Sequence, residues 1–297
     1  MGKPRQGNRP QIATLSFVAR AGKPMHSSGN YVFGGGQTEL QRLVIQAAGL
    51  EAEADWLLDN VPVRSGWRAA DIGCGPIGVL DLLSQRVGPR GRVVGVEPEP
   101  RFADMAAREV ERRELRNVRV VRGDADAPSL EHGSLDFVHE RLVLMNMPDT
   151  ERRRFISQML SLAKPGGIVA LQDYDRVSCV CYPEHPSWTI LLGAYDEAFR
   201  ASGGDGSTGR ALPWLLRSAG AQDVQAKVHA KFVDMDNSRR THHLGLLEVM
   251  HEKIVSFGRL KESELAEHKK ALRRHLADPD TVVIDHLLVQ AWGRKPC

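Results

Sequence analysis

The chain has 297 residues, 42% of them hydrophobic and 26% charged, a globular composition with enough length for one sizeable core and an elaboration. A net charge of +3 is too small for an electrostatic nucleic-acid binder, and no apolar run approaches the roughly 20 residues that cross a bilayer. Cys74, Cys179, Cys181 and Cys297 are too few and too oddly spaced for a disulfide framework, and the N-terminus has no apolar signal core, so a cytoplasmic location is expected.

Residues 1–30 read as an arm. Met1 to Pro10 is basic and poor in apolar side chains, which favours a solvated, flexible stretch. Ile12 to Val18 is apolar enough to seek burial, against its own chain or against a second copy in a homo-oligomer. Residues 31–66 read as an N-terminal helical cap. After the turn Gly34-Gly35-Gly36, Leu40, Leu43, Val44, Ala47, Ala48 and Leu50 recur at helical spacing, and a second pattern runs through Ala54, Trp56, Leu57 and Leu58 before Pro62.

From 67 to 175 strands and helices alternate. The first strand ends on Asp71; the second is Arg92 to Glu97, the third Val118 to Asp124, the fourth Leu135 to His139 and the fifth Ile168 to Asp173. Helices are expected over 79–87, 100–114 and 150–163, with a looser turn at 126–134. This alternation specifies a parallel sheet with helices on both faces, because each parallel pair needs a crossover. Between the first strand and its helix lies Asp71-Ile72-Gly73-Cys74-Gly75-Pro76-Ile77-Gly78, where glycines let backbone N–H groups approach a ligand that a Cβ would exclude. Its glycines also satisfy the G-x-G-x-x-G pattern of dinucleotide sites, so the loop alone leaves the cofactor open.

Residues 176–297 read as a substrate lid and closing strands of the same domain. Helices are expected at Arg210 to Ala219 and through 241–277, and strands at Val224 to Val233, Thr281 to Ile284 and Leu287 to Trp292. Trp188, Tyr195, Phe199 and Trp214 could line a largely apolar acceptor pocket or equally belong to the core. No metal is expected. Cys179-x-Cys181-x-x-x-His185 lacks a fourth ligand at a recognisable spacing, and His242, His243 and His251 do not share one helical face.

Four features together resemble the class I S-adenosylmethionine-dependent methyltransferases, in particular the bacterial small-molecule branch related to ubiquinone and menaquinone methyltransferases. Asp71 stands two residues before the first glycine, as in that family's D/E-x-G-x-G loop; Glu97 closes the second strand; Gly123-Asp124-Ala125 follows the third; and Lys164-Pro165-Gly166-Gly167 leads into the fifth. The resemblance spans 31–175 well and the C-terminal third in outline. It implies an α/β fold, a doubly wound, mainly parallel Rossmann-like sheet with helices on both faces, an N-terminal helical cap and a C-terminal lid insertion. It also implies S-adenosyl-L-methionine as cofactor and in-line methyl transfer to O, N or C of a small, partly apolar molecule, in bacterial specialised or cofactor metabolism.

The cofactor-binding residues so implied are Tyr31, Asp71, Gly73, Gly75, Glu97, Asp124, Ala125, Glu140 and Arg141, with Glu97 on the ribose hydroxyls and Asp124-Ala125 at the adenine. His139, Glu140 and Asp173 leave strands four and five at the edge where ligands collect and are the catalytic candidates. Neither nucleic acid nor membrane is an expected partner. Two departures stand out: Ile77 where the family loop commonly has glycine, and Asn146 where relatives often carry histidine. They keep open a protein that binds the cofactor without methylating, or that assists a cyclisation. An NAD-dependent dehydrogenase is the further alternative, although no Tyr-x-x-x-Lys pair is present.

Overall fold

The computed structural model describes residues 37–76, 78–124, 130–233, 235 and 238–297. Five strands, β1 (Arg68–Ile72), β2 (Arg92–Glu97), β3 (Val118–Arg122), β4 (Leu135–Arg141) and β5 (Ala163–Asp175), run parallel to their neighbours in the order β3-β2-β1-β4-β5. Two strands from the C-terminal third complete a seven-stranded sheet: β9 (Leu287–Arg294) lies antiparallel beside β5, and β7 (Gln222–His229) pairs antiparallel with β9 on the outside. The expected parallel sheet is therefore present, with one reversed strand inside it.

The central strands are buried on both faces, as parallel strands are. In β1, Ala69, Ala70 and Ile72 have no exposed surface. Helix α3 (Leu80–Val87) turns Leu80, Leu83 and Val87 inward, and α4 (Pro100–Arg112) turns Phe102, Ala103 and Ala106. The start of α4 is set by Pro100 at its first position and by Glu99, whose carboxylate accepts from the Arg101 N–H. With α2 (Glu51–Asn60) these helices enclose one apolar core. On the opposite face α5 (Asp149–Leu162) and α7 (Thr208–Ser218) enclose a second. Ahead of α2, helix α1 (Gln37–Gly49) completes the described part of the cap.

A third core belongs to the C-terminal segments. Helices α6 (Pro186–Ala201), α8 (His242–Val249), α9 (His251–Ser256) and α10 (Glu262–Leu276) pack around Leu191, Tyr195, Phe199, Leu247, Leu265 and Leu272. The short strands β6 (Val180–Tyr182) and β8 (Val282–Ile284) pair with each other. The run at 281–284 is thus not an element of the main sheet. Strand β5 also begins earlier than expected, because the Lys164 to Gly167 turn is absorbed as a kink: Gly166 has φ +73°, and the register with β4 shifts between Leu135 and Phe137.

Candidate functional site

The site is built where β1 hands over to α3. Gly73, Gly75 and Gly78 have φ of +72°, +59° and +57°, the left-handed region that side chains rarely adopt. At Gly78 a Cβ would stand 2.5 Å from Asp71 Oδ2, so the loop can close on the acid only because this residue has none. At Gly75 a Cβ would meet no atom within 4 Å beyond its own chain neighbours; it would project into open space, and Gly75 lines a cleft. Leu43, Gln46 and Ala47 of α1 form part of the cleft wall, opposite Asp71, the loop residues 73–76, Gly78 and Arg141.

Three charged groups shape this cleft. Asp71, buried at the strand end, accepts from the Val79 N–H at 3.3 Å and thereby ties the start of α3 to β1. Glu97 accepts from the Gly75 N–H at 2.8 Å and from the Glu99 N–H at 2.9 Å, which holds the loop tip against the end of β2. Burial nevertheless pushes the Glu97 carboxyl up to about 7, because the two amides do not offset its desolvation. Arg141 places Nη2 at 3.4 Å from the Gly78 carbonyl, while its Nη1 is buried without a hydrogen-bond partner. Burial lowers the Arg141 pKa, with Asp71 opposing that shift.

Asp124 is exposed just beyond β3, where the Gly123 N–H donates to the Glu97 carbonyl at 3.2 Å. Tyr31, Ile77 and Ala125 lie outside the described residues. Asp71, Gly73, Gly75 and Arg141 therefore meet in one cleft, and Glu97 reaches it through the Gly75 amide.

The three catalytic candidates are enclosed. His139 has both ring nitrogens engaged: Gln172 Nε2 donates to its Nε2 at 2.6 Å, which puts the proton on Nδ1, 2.7 Å from Asp71 Oδ1. The chain of contacts continues sideways, Gln290 Nε2 donating to Gln172 Oε1 at 2.8 Å and to the Glu53 carbonyl at 2.7 Å, and His229 Nε2 meeting Gln290 Oε1 at 3.0 Å. A polar relay thus crosses five neighbouring strands inside the protein.

Glu140 accepts from the Val143 N–H at 3.1 Å and the Gln172 N–H at 3.2 Å, away from the glycine-loop cleft. Asp173 accepts from the Met145 N–H at 3.1 Å, and its Oδ1 is buried without a partner. Both carboxyls are raised, Asp173 to about 8, foremost by burial, and Asp173 also raises Glu140. Together they hold the turn after β4, where Leu142 is itself at φ +60°.

Trp188, Tyr195 and Phe199 take the core alternative, and Trp214 does not. Tyr195 and Phe199 are fully buried and stack on each other, with the Arg176 guanidinium 3.8 Å above the Tyr195 ring. Trp188 packs edge-on against His243, and Trp214 is half exposed on α7 beneath Arg153. Asn146 Nδ2 donates back to the Leu142 carbonyl at 2.7 Å, so its amide fastens the turn after β4. The α1 residues of the cleft were missed, although Leu43, Gln46 and Ala47 follow the i, i+3, i+4 spacing of one helical face.

Residues 69–167 match the family model described as a methyltransferase domain. An uncharacterized 37.1 kDa protein in transposon TN4556 of Streptomyces fradiae is 32% identical over 167 residues, which cover 55% of this chain and 46% of that protein. A demethylmenaquinone methyltransferase of Listeria welshimeri is 26% identical over 133 residues, 45% of this chain and 53% of that enzyme. The matched region thus spans about half the length of these curated relatives. In fold, the chain is similar to phosphoethanolamine N-methyltransferase 2 of Haemonchus contortus solved with S-adenosyl-L-methionine, with a TM-score of 0.50 at 19% identity over 91% of this chain and 56% of that one. Residues 69–167 thus match a methyltransferase domain, and the chain is similar in sequence to the demethylmenaquinone methyltransferases and in fold to a methyltransferase solved with S-adenosyl-L-methionine.

Proposed function

We propose that the chain binds S-adenosylmethionine in the cleft after β1 and transfers the methyl group to a small, partly apolar acceptor. The observation that carries this reading is the buried, unpartnered Nη1 of Arg141 on a glycine-walled cleft, a donor suited to the carboxylate of an amino-acid-like cofactor. Gly75 supports it, since its missing Cβ is what leaves the cleft open at the loop tip. S-adenosylmethionine supplies an electrophilic methyl group on a positively charged sulfur.

The chain's own residues bind, orient and exclude water. Glu97 accepts the ribose hydroxyls, Asp124 and Ala125 meet the adenine, and Tyr31 covers the carboxylate end, as the family resemblance implies. Asp71 keeps the loop on the strand, and His139 with Gln172 keeps Asp71 in place. Leu43 and Ala47 of α1 give the cleft an apolar wall that displaces water, which strengthens every charge contact inside. Because His139, Glu140 and Asp173 already serve backbone and side-chain partners, they act in this reading by positioning, and alignment of the acceptor does most of the work.

A second reading, cofactor binding without methylation, is favoured by Asn146, an amide that cannot take a proton and is turned toward Leu142. Incubation with methyl-labelled S-adenosylmethionine and small amines, phenols and quinols separates the two. Label in an extractable product together with S-adenosylhomocysteine release supports transfer. Saturable donor binding with no release across the panel supports the second reading, and no donor binding by folded protein removes both.

A further inference from the structure

The C-terminal segments hold a polar cluster that the cleft does not use. Cys179 precedes β6, His243 is the second residue of α8, and Asp285 and His286 connect β8 to β9; all four are buried. One potential ligand atom from each lies within 4.8 Å of the others. Cys179 Sγ is 3.3 Å from His243 Nε2, His243 Nε2 is 3.8 Å from Asp285 Oδ1, and His286 Nδ1 is 3.5 Å from the same Oδ1. His286 Nδ1 has no hydrogen-bond partner, so a fully buried ring nitrogen points into the cluster unsatisfied.

Two arrangements could bring these groups together. A nucleophilic relay places the thiol on one imidazole nitrogen and the acid on the other. Here the thiol and the carboxylate both face Nε2, and His243 Nδ1 is without a partner, so no relay exists. Convergence on one point is the signature of coordination. With metal–sulfur bonds of about 2.3 Å and metal–nitrogen or metal–oxygen bonds of about 2.0–2.2 Å, the edges of a tetrahedron are about 3.3–3.6 Å long. Two of the three distances above fall on those edges, and the third, His243 Nε2 to Asp285 Oδ1 at 3.8 Å, is a little longer.

We propose that Cys179, His243, Asp285 and His286 form a closed four-coordinate site for a zinc-class divalent cation. Arg239 occupies Asp285 Oδ2, and Oδ1 accepts from the His286 N–H at 2.8 Å, so Oδ1 would bind the ion through its second lone pair with its direction fixed by both contacts. On loading, the Cys179 thiol gives up its proton, now donated to the Ile284 carbonyl at 3.2 Å, and the sulfur bonds the metal as thiolate. No position is left for a substrate, so the ion is structural. It cross-links the start of β6, the start of α8 and the β8–β9 connection, three segments that no linear spacing connects.

The test measures metal in the full-length protein as purified, then replaces it with cobalt(II). The expected result is about one zinc per chain and a cobalt spectrum with a thiolate charge-transfer band and tetrahedral bands. Cys179→Ser should lose the charge-transfer band and Cys181→Ser should keep it, since the Cys181 sulfur lies by the Pro183 carbonyl outside the cluster. Asp285→Asn should weaken cobalt binding at least tenfold. Folded wild-type protein that takes up no cobalt, or that shows no thiolate band, overturns the proposal even if no variant folds. A band that survives in Cys179→Ser overturns it as well.

Discussion

Glu97 shows how a buried acid reports on its site. Its folded pKa of about 7 lies above the ordinary carboxyl value of 4.5, so the folded protein holds this proton more tightly than the unfolded chain. Its contribution to stability is full below about pH 4.5 and is lost as pH rises toward about 7, a change on the order of 3 kcal/mol. Ribose hydroxyls donate to the ionised form, so S-adenosylmethionine should bind about tenfold more weakly at pH 6 than at pH 8, and Glu97→Gln should flatten that dependence. Calorimetric titrations across this range check it; an equal slope in the variant contradicts the assignment. For Asp173, raised to about 8, the neutral amide is a fair substitute. Asp173→Asn should keep the acceptor for the Met145 N–H, while Asp173→Ala should cost about 1–3 kcal/mol in urea unfolding. Loss of methyl transfer in a fully folded Asp173→Asn would instead restore the acid to the chemistry.

At the scale of elements, the glycine loop works because it is fastened on three sides: Asp71 to the start of α3, Glu97 to the loop tip, and His139 to Asp71 through a relay that ends on β7. Gln172→Leu would leave His139 Nε2 without its donor and Gln290 Nε2 without one of its acceptors. We expect a loss of about 1–3 kcal/mol per orphaned group in denaturant melts, together with weaker cofactor binding as Asp71 loosens. A variant as stable as the wild type would show the relay to be incidental. The strands and the loop were legible in sequence because β2 and β5 carry the apolar runs Val93 to Val96 and Ile168 to Leu171 and the glycines fall at one strand end. The backbone partners of Glu140 and Asp173 were not, because they depend on a turn that folds back onto both strand ends. Strand periodicity says which residues leave the sheet, and says nothing of which amides will meet them.

Across the whole molecule, three cores divide the chain: two flank the sheet and the third lies among the C-terminal helices. Of the two readings the sequence left open for the aromatic residues, Tyr195 and Phe199 take the buried one, in that third core under Arg176. The same region conceals the Cys179, His243, Asp285 and His286 cluster, whose members are up to 107 positions apart (286 − 179) and meet only through tertiary packing. If the cluster holds zinc, a strong chelator should lower the melting temperature of the wild type and leave Cys179→Ser unmoved. None of this depends on the cleft, where the central claim lies. That claim is tested most directly by calorimetric titration of the full chain with S-adenosylmethionine and with NAD, beside a folded Gly75→Val variant whose side chain would enter the cleft. The account predicts saturable 1:1 binding of S-adenosylmethionine, none of NAD, and at least tenfold loss in the variant; NAD binding, or S-adenosylmethionine binding indifferent to Gly75, would contradict it.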